Sequence, residues 1–227
     1  MGPQARPGVT ALAVAVLALL AERPMHPYEM YQLLIRRGED VLVKVRPGSL
    51  YHTVARLAEH ELVRAEGVDR SGNRPERTTY RITELGEQAL RNKIAEVIRY
   101  PHAEYPMFPL ALAEAHNLPA ADVTALLQER LRHLRADIED FDRMTDWATE
   151  HHVPRRYWIV LPYLRATVGA EIAWIDGFLA ELGSGALEWE RFDPESGARI
   201  AGPEHPWADA GHPERPPVPR RAAAASP

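Results

Sequence analysis

The order of short elements between Val9 and Leu90 constrains the fold of this 227-residue chain more than any other feature. An apolar run from Val9 to Ala21 predicts a first helix that is buried on nearly all sides. Two more short helices, two strands joined by an arginine-rich loop and a closing helix follow it. This is the order of a winged helix-turn-helix, whose second and third helices and two-stranded wing contact duplex DNA. The sequence therefore predicts a mainly α fold with a small β-wing, and DNA binding as the expected function.

The second and third helices are marked by proline and glycine. Pro27 suits the first turn of a helix that ends at Gly38, and Pro47 opens the third helix. An inner apolar stripe in that third helix leaves a polar outer face suited to phosphate oxygens or base edges, although a plain amphipathic surface helix would look similar. Because such helices enter the major groove N-terminus first, we expect residues 49–52 to lie deepest. The predicted DNA contacts here are Lys44, Arg46, Ser49, Tyr51, His52, Thr53 and Arg56.

The predicted wing favours the DNA-binding interpretation. Residues 62–68 and 77–83 have the composition of two strands, Gly72-Asn73 supplies the turn between them, and Thr83 is placed to cap the helix that follows. Guanidinium groups near the wing tip can reach phosphates or a narrow minor groove. A protein-interaction module would not need them. The wing residues predicted to contact DNA are Arg70, Asn73, Arg74 and Arg77.

The net charge of −5 is unevenly distributed. Residues 1–95 hold 14 Lys and Arg against 11 Asp and Glu (+3), and residues 96–227 hold 13 against 21 (−8). This indicates a DNA-facing front and an acidic second half that faces a partner. The chain has no cysteine, which excludes disulfides and thiolate metal sites and makes the cytoplasm the expected location. Arg6 before the apolar run also resembles a secretory signal, but the run is too short to span a bilayer, so no membrane association is expected.

The second half of the sequence predicts two long helices. Apolar residues recur at spacings of three, four and seven from Ala120 to about His151 and again from Pro154 to Gly183, with a kink expected at Pro162. A small winged domain cannot cover both apolar seams, so we expect a homodimer, whose two-fold symmetry predicts a pseudo-palindromic operator. The predicted dimer interface comprises Leu127, Leu131, Leu134, Ile138, Phe141, Leu164, Val168, Ile172, Ile175 and Leu179.

Aromatic residues on these helices suggest a site for a small planar aromatic effector, because flat rings stack on flat ligands. The candidates are Trp147, Trp158, Tyr163 and Trp174. The alternative is that these rings belong to the core or to the dimer interface. The sequence has no glycine-rich phosphate loop, no Gly-x-Ser-x-Gly and no His-Glu-x-x-His, and the adjacent His151 and His152 point apart on a helix. We therefore predict no enzyme, no metal and no cofactor.

Composition divides the chain into four regions. A winged helix-turn-helix is expected over residues 1–98, a proline-rich connector over 99–118 and the helical dimerisation domain, which is the possible effector domain, over 119–184. Eight prolines lie between Pro194 and Pro227, and aliphatic residues almost vanish there. Such a segment cannot bury enough surface to offset its ordering entropy, so we expect residues 185–227 to be a disordered tail.

Several separated motifs, spread over about residues 9–95, carry a resemblance to one family. They are His26-Pro27-Tyr28-Glu29, Gly48-Ser49-Leu50-Tyr51, Gly72-Asn73-Arg74-Pro75 and Tyr80-Arg81-Ile82-Thr83-Glu84-Leu85-Gly86. Together they resemble the PadR family of bacterial transcriptional regulators. The resemblance implies a homodimer that usually represses a nearby operon and is released by a small molecule, and it implies that Tyr51 contacts the DNA backbone. The wing tip departs from the family's more common Gly-Arg-Pro by one inserted residue, Asn73.

The sequence is therefore compatible with two functions. The first is a homodimeric, sequence-specific DNA-binding transcriptional regulator, a repressor released by a small-molecule effector. The second is a winged helix that binds proteins without specific DNA binding, with the acidic second half as its working surface. Wing arginines aligned with Lys44, Arg46 and Arg56 favour the first function.

Overall fold

The computed structural model describes residues 9–69, 77–101, 105–193 and 195–200, which divide into two compact units between residues 104 and 105. The first unit contains four helices and one two-stranded sheet among these residues, and the fold class predicted above is confirmed. Its elements are α1 (Ala11–Glu22), α2 (Pro27–Arg36), a 3-10 turn (Glu39–Val41), α3 (Pro47–Glu59), β1 (Val63–Asp69), β2 (Arg77–Ile82) and α4 (Glu84–Arg99).

The ends of these helices follow from local chemistry. The Thr10 hydroxyl accepts a hydrogen bond from the backbone N–H of Ala13 at 3.3 Å and so caps α1. Proline occupies the first position of both α2 and α3, where its missing N–H costs nothing. After α2, Gly38 adopts a left-handed conformation with φ of 69°. The helix boundaries expected from proline and glycine are therefore those that the structure has.

Helix α1 is the centre of the first unit. It contacts α2, α3, β2 and α4, and half of its residues are buried. The inner faces of the other elements complete one apolar core, which includes Met30, Leu34, Leu50, Val54, Leu57, Val63, Ile82 and Leu90. Within the described part of the chain, no helix is long and apolar enough to cross a membrane.

The wing is an antiparallel pair in which Val63 lies opposite Ile82 and Asp69 lies opposite Arg77, with a bulge between Ala65 and Gly67. The wing residues Arg70, Asn73 and Arg74 lie outside the described residues. The sheet gains a third extended segment at Met25, whose N–H and carbonyl each hydrogen-bond with Tyr80 at 3.0 Å. The wing is therefore attached to the link between α1 and α2.

The turn between β2 and α4 is closed by one threonine and one glycine. The Thr83 hydroxyl accepts a hydrogen bond from the N–H of Gly86 at 3.0 Å and donates one to the carbonyl oxygen of Glu61 at 2.7 Å. This confirms Thr83 as the cap of α4. A Cβ at position 86 would overlap the carbonyl oxygen of Leu62 and lie 2.8 Å from the side chain of Ile82. Only glycine allows α4 to approach β1 this closely.

The second unit is built on two antiparallel helices. Its elements are α5 (Met107–Ala113), a 3-10 turn (Ala115–Asn117), α6 (Ala120–Glu150), a 3-10 turn (Arg155–Tyr157) and α7 (Val160–Ser184). The chain after Pro154 forms the second 3-10 turn, so α7 begins later than predicted. It ends at Gly185, with φ of 73°, rather than at Gly183. Pro162 is the third residue of α7, where the helix has no hydrogen bond for a backbone N–H to make. The proline therefore breaks no helical hydrogen bond that would cause the predicted kink.

The apolar seams of α6 and α7 pack against each other within one chain. Five residues are buried at this seam, and four of them were predicted for the dimer interface: Leu127, Leu131, Leu134 and Ile175, together with Val123. Val168, Ile172 and Leu179 pack against the same cluster and are half-buried. Leu127, Leu131, Leu134 and Ile175 are therefore covered by their own chain, and the dimer interface stays a prediction.

The segment after α7 has a defined conformation as far as Ile200. The indole N–H of Trp189 donates to the carbonyl oxygen of Leu118 at 2.8 Å, and its ring meets Phe178 edge-on at 6.0 Å. Phe192 pairs with Arg199 in a short antiparallel bridge. These contacts correct the expectation of disorder for residues 185–193 and 195–200. The remaining tail, residues 201–227, lies outside the described residues.

Replacing Gly86 by alanine is expected to destabilise the first unit by about 1 to 3 kcal/mol, because the new methyl group has to displace the backbone of residue 62. Thermal or urea unfolding followed by circular dichroism measures this change. Gly48→Ala is the matched control, since position 48 is also in the first turn of a helix and a Cβ there meets nothing within 4 Å. Equal stabilities of the two variants would contradict the close approach of α4 to β1.

Candidate nucleic-acid interface

Helix α3 presents two chemically different faces. Leu50, Val54 and Leu57 are buried in the core of the first unit. The side of the helix that faces away from this core is exposed and polar, and it carries Ser49, Tyr51, His52 and Arg56. The buried stripe thus fixes which residues of α3 face outward.

Three cations near α3 have no ion pair within the described residues. Among the described residues, no carboxylate lies within ion-pair distance of Lys44, Arg46 or Arg56. Four other arginines of the first unit are paired, Arg23 with Glu29, Arg37 with Glu22, Arg81 with Glu66 and Arg91 with Glu87, whereas Arg36, Arg64 and Arg99 have no ion pair within the described residues. Cations without a carboxylate partner are available to phosphate groups, so the electrostatics of this surface suit a polyanion.

The start of α3 adds backbone donors to these side chains. Pro47 is the first residue of the helix, and Arg46 precedes it without a side-chain hydrogen bond to the first turn. The N–H groups at a helix start carry partial positive charge and favour anions. They lie in the same stretch as Lys44 and Arg46.

Two predicted contacts on α3 differ in how far they can reach. The Thr53 hydroxyl donates to the carbonyl oxygen of Ser49 at 2.8 Å and its side chain is half-buried, so this group is engaged within the helix. Tyr51 is 46% exposed, and its ring meets the imidazole of His26 edge-on at 6.2 Å. The Thr53 hydroxyl is thus used inside its own helix, whereas the Tyr51 side chain is exposed and packs against His26 on one side.

The wing contributes one exposed cation that the sequence analysis missed. Arg64 on β1 lies directly opposite Arg81, has no ion pair among the described residues and is exposed, whereas Arg81 pairs with Glu66. Arg64 follows the apolar Val63 in β1, and because side chains alternate between the two faces of a strand, the sequence could have indicated that Arg64 is exposed. Arg77 begins β2, and the other predicted wing contacts lie outside the described residues.

The four aromatic effector candidates do not form one site within a single chain. Trp147 stacks on His151 at 4.3 Å, and the Trp158 indole donates to the carbonyl oxygen of Val153 at 2.9 Å. Both lie near the end of the hairpin where α6 joins α7, as does Tyr163. The ion pairs of Arg130 with Glu171, Arg135 with Asp176 and Arg165 with Asp142 set the antiparallel register, which places Trp174 roughly 15 to 30 Å from Trp147 along the helices, at about 1.5 Å per residue.

No group of three or more His, Asp or Glu side chains that could hold a metal ion occurs within residues 9–69, 77–101, 105–193 and 195–200.

The geometry of the first unit is that of a winged helix-turn-helix, a class of DNA-binding fold. Residues 16–92 match the sequence model of the family described as "Transcriptional regulator PadR-like family". About a third of the chain, within its first unit, is thus similar to the PadR-like family of transcriptional regulators, as its motifs predicted.

Solved structures share the fold over most of this chain. Bacillus subtilis PadR in complex with operator DNA is 18% identical with a TM-score of 0.63, and the match covers 76% of this chain and 99% of that one. The same protein with p-coumaric acid is 16% identical with a TM-score of 0.59, and the match covers 79% of this chain and 99% of that one. The Vibrio cholerae virulence activator AphA is 20% identical with a TM-score of 0.57, and the match covers 77% of this chain and 99% of that one. At these identities the likeness shows the fold. Among curated proteins, no sequence matches this chain.

Replacing Lys44 by alanine is expected to weaken binding to every duplex and to reduce the slope of log affinity against log salt by about 0.9, the contribution of one neutralised phosphate. Fluorescence anisotropy over a range of salt concentrations measures both quantities. Arg91→Ala removes the same charge from α4, where Arg91 pairs with Glu87, and is the control. A slope that changes equally in both variants would assign the effect to net charge rather than to a phosphate contact.

Proposed function

We propose that this chain is a homodimeric transcriptional repressor that binds a pseudo-palindromic operator in the cytoplasm and is released by a small aromatic effector. The observation that carries the proposal is the exposed polar face of α3 beside Lys44, Arg46 and Arg56, which have no carboxylate partner among the residues that the structure describes. The fold shared with a PadR that was solved in complex with operator DNA supports it.

In this proposal each part of the surface has a separate task. Residues 49–52 of α3 enter the major groove, where His52 reads base edges and Tyr51 contacts the backbone. Lys44, Arg46 and Arg56 bind phosphates on either side of the groove. The wing adds phosphate or minor-groove contacts through Arg64 and the predicted Arg70, Asn73, Arg74 and Arg77.

The proposed dimer uses the outer face of α7. The charged side chains of α7 from Val160 to Ala180, Arg165, Glu171 and Asp176, all pair with α6. Arg165 also lowers the pKa of the Asp142 carboxyl through its hydrogen bond. The opposite face is exposed and uncharged, and it carries Tyr163, Ala166, Ala170, Trp174 and Gly177.

An uncharged, exposed helix face of this kind fits a second copy of itself. Only Leu161 and Ile175 of the 25 residues of α7 are fully buried in the single chain, although the helix is apolar on several sides. Small residues between Tyr163 and Trp174 let a second helix approach closely. We therefore propose this face for the dimer in place of the seam residues predicted from the sequence, whose stripe on α6 continues through half-buried Ile138 and Phe141.

Introducing a charge at Ala170 is expected to convert the dimer to a monomer, because a glutamate would be desolvated in an uncharged helix contact. Multi-angle light scattering after gel filtration measures the mass directly. Ala136→Glu is the matched control, since position 136 lies among charged side chains on the outer face of α6. A dimeric Ala170→Glu protein would place the interface elsewhere.

The effector part of the proposal rests on the exposed aromatic rings. Tyr163 is 69% exposed and Trp174 is 48% exposed, and both lie on the face assigned to the dimer. When two α7 helices pair antiparallel near Ala170, Trp174 of one protomer comes close to Tyr163 of the partner subunit. A planar aromatic acid can stack between such rings. The structure of B. subtilis PadR with p-coumaric acid supports this ligand class.

The deciding experiment measures anisotropy of labelled duplexes from the region upstream of the coding sequence, with scrambled duplexes as controls. A preference of about 10³-fold or more is expected for the operator, and addition of p-coumaric acid is expected to reverse it. Equal binding to both kinds of duplex would contradict sequence-specific binding and favour the protein-interaction alternative. In vitro transcription from the bound promoter then separates repression from activation.

A further inference from the structure

The link between α1 and α2 joins the two elements that are proposed to contact DNA. Met25 is buried, and its backbone N–H and carbonyl both hydrogen-bond with Tyr80 of β2 at 3.0 Å. The next residue, His26, places its ring edge-on to the ring of Tyr51 in α3, with 6.2 Å between the ring centroids and 74° between the planes. Two consecutive residues thus connect the wing on one side with α3 on the other.

The His26 ring is itself held in place by its own helix. Its Nδ1 accepts a hydrogen bond from the N–H of Tyr28 at 3.1 Å and so caps α2. One turn later Glu29 pairs with Arg23 at the end of α1, and the pKa of the Glu29 carboxyl is lowered by that contact. The motif His26-Pro27-Tyr28-Glu29 therefore fixes the imidazole relative to α1, α2 and the wing.

We infer that His26 is a positioning residue for DNA binding: it holds the ring of Tyr51 at a set distance from the wing, so that α3 and the wing meet the phosphate backbone together. The inference rests on the proposed function, in which Tyr51 contacts the backbone. Tyr51 is about half exposed, so without a support its side chain would lose rotamer freedom on binding. The edge-on contact removes part of that cost before DNA arrives.

Two substitutions separate the two tasks of His26. His26→Asn keeps the cap, because asparagine is among the best N-cap residues, and it removes the ring. His26→Phe keeps an aromatic ring beside Tyr51 and removes the acceptor for the Tyr28 N–H. The stability of the protein is expected to depend on the cap of α2, and its DNA affinity is expected to depend on the aromatic ring at position 26. His26→Asn should therefore unfold like the wild type but bind DNA about 3- to 10-fold more weakly, and His26→Phe should show the opposite pattern.

A mixed-sequence duplex of about 30 base pairs at low salt is the probe, because a backbone contact acts on every sequence. A double-mutant cycle combines His26→Asn with Tyr51→Ala. In the Tyr51→Ala protein, His26→Asn is expected to have no further effect on DNA affinity. The inference is overturned if His26→Asn binds as tightly as the wild type, if affinity follows the cap, or if the two substitutions multiply, since a multiplied effect would mean that His26 touches DNA directly. Failure of the proposed function would appear separately, as a wild-type protein that does not distinguish operator from scrambled duplex.

Discussion

Burial of α1 is the constraint on which the first unit depends. A helix that is apolar on nearly every side cannot remain in water, and each buried leucine contributes about 1.5 to 3 kcal/mol relative to exposure. Helices α2, α3 and α4 and strand β2 all contact it. The position of α3 follows from this packing, because its stripe of Leu50, Val54 and Leu57 has to face α1 and its polar side then has to face outward. The surface proposed to contact DNA is thus the side of α3 that does not pack into the core.

Local pairing of charges shapes the electrostatics of this surface. Four arginines of the first unit pair with carboxylates, and the hairpin of the second unit uses Arg130, Arg135 and Arg165 to pair its own helices. Where α3 begins, Lys44 and Arg46 have no carboxylate partner in the described part of the chain. A net charge of −5 is therefore compatible with DNA binding, since the field at the interface depends on local pairing and the acidic second half disfavours non-specific contacts.

The sequence predicted elements better than partners. Proline, glycine and threonine signals placed the helix ends of the first unit because capping is local chemistry, as Thr83 shows. The seam of Leu127, Leu131 and Leu134 was assigned to a second copy, but periodicity states only that a face is buried and not which helix covers it. Composition averaged over 185–227 missed Trp189, whose hydrogen bond and ring contact order its segment. The contact of His26 with Tyr51 has no sequence signal, because 25 positions separate them.

The direction of regulation is not a property of this fold. A virulence activator from Vibrio cholerae and PadR from Bacillus subtilis share it with this chain at similar TM-scores. In the proposed function the winged unit determines where the protein binds, whereas the effect on transcription depends on where the operator lies relative to the promoter. An effector that binds between two protomers would act on the spacing of the two α3 helices, because a two-fold dimer matches half-sites about one helical turn apart. Release of DNA then requires only that the ligand favour a dimer geometry in which both recognition helices cannot enter their grooves together.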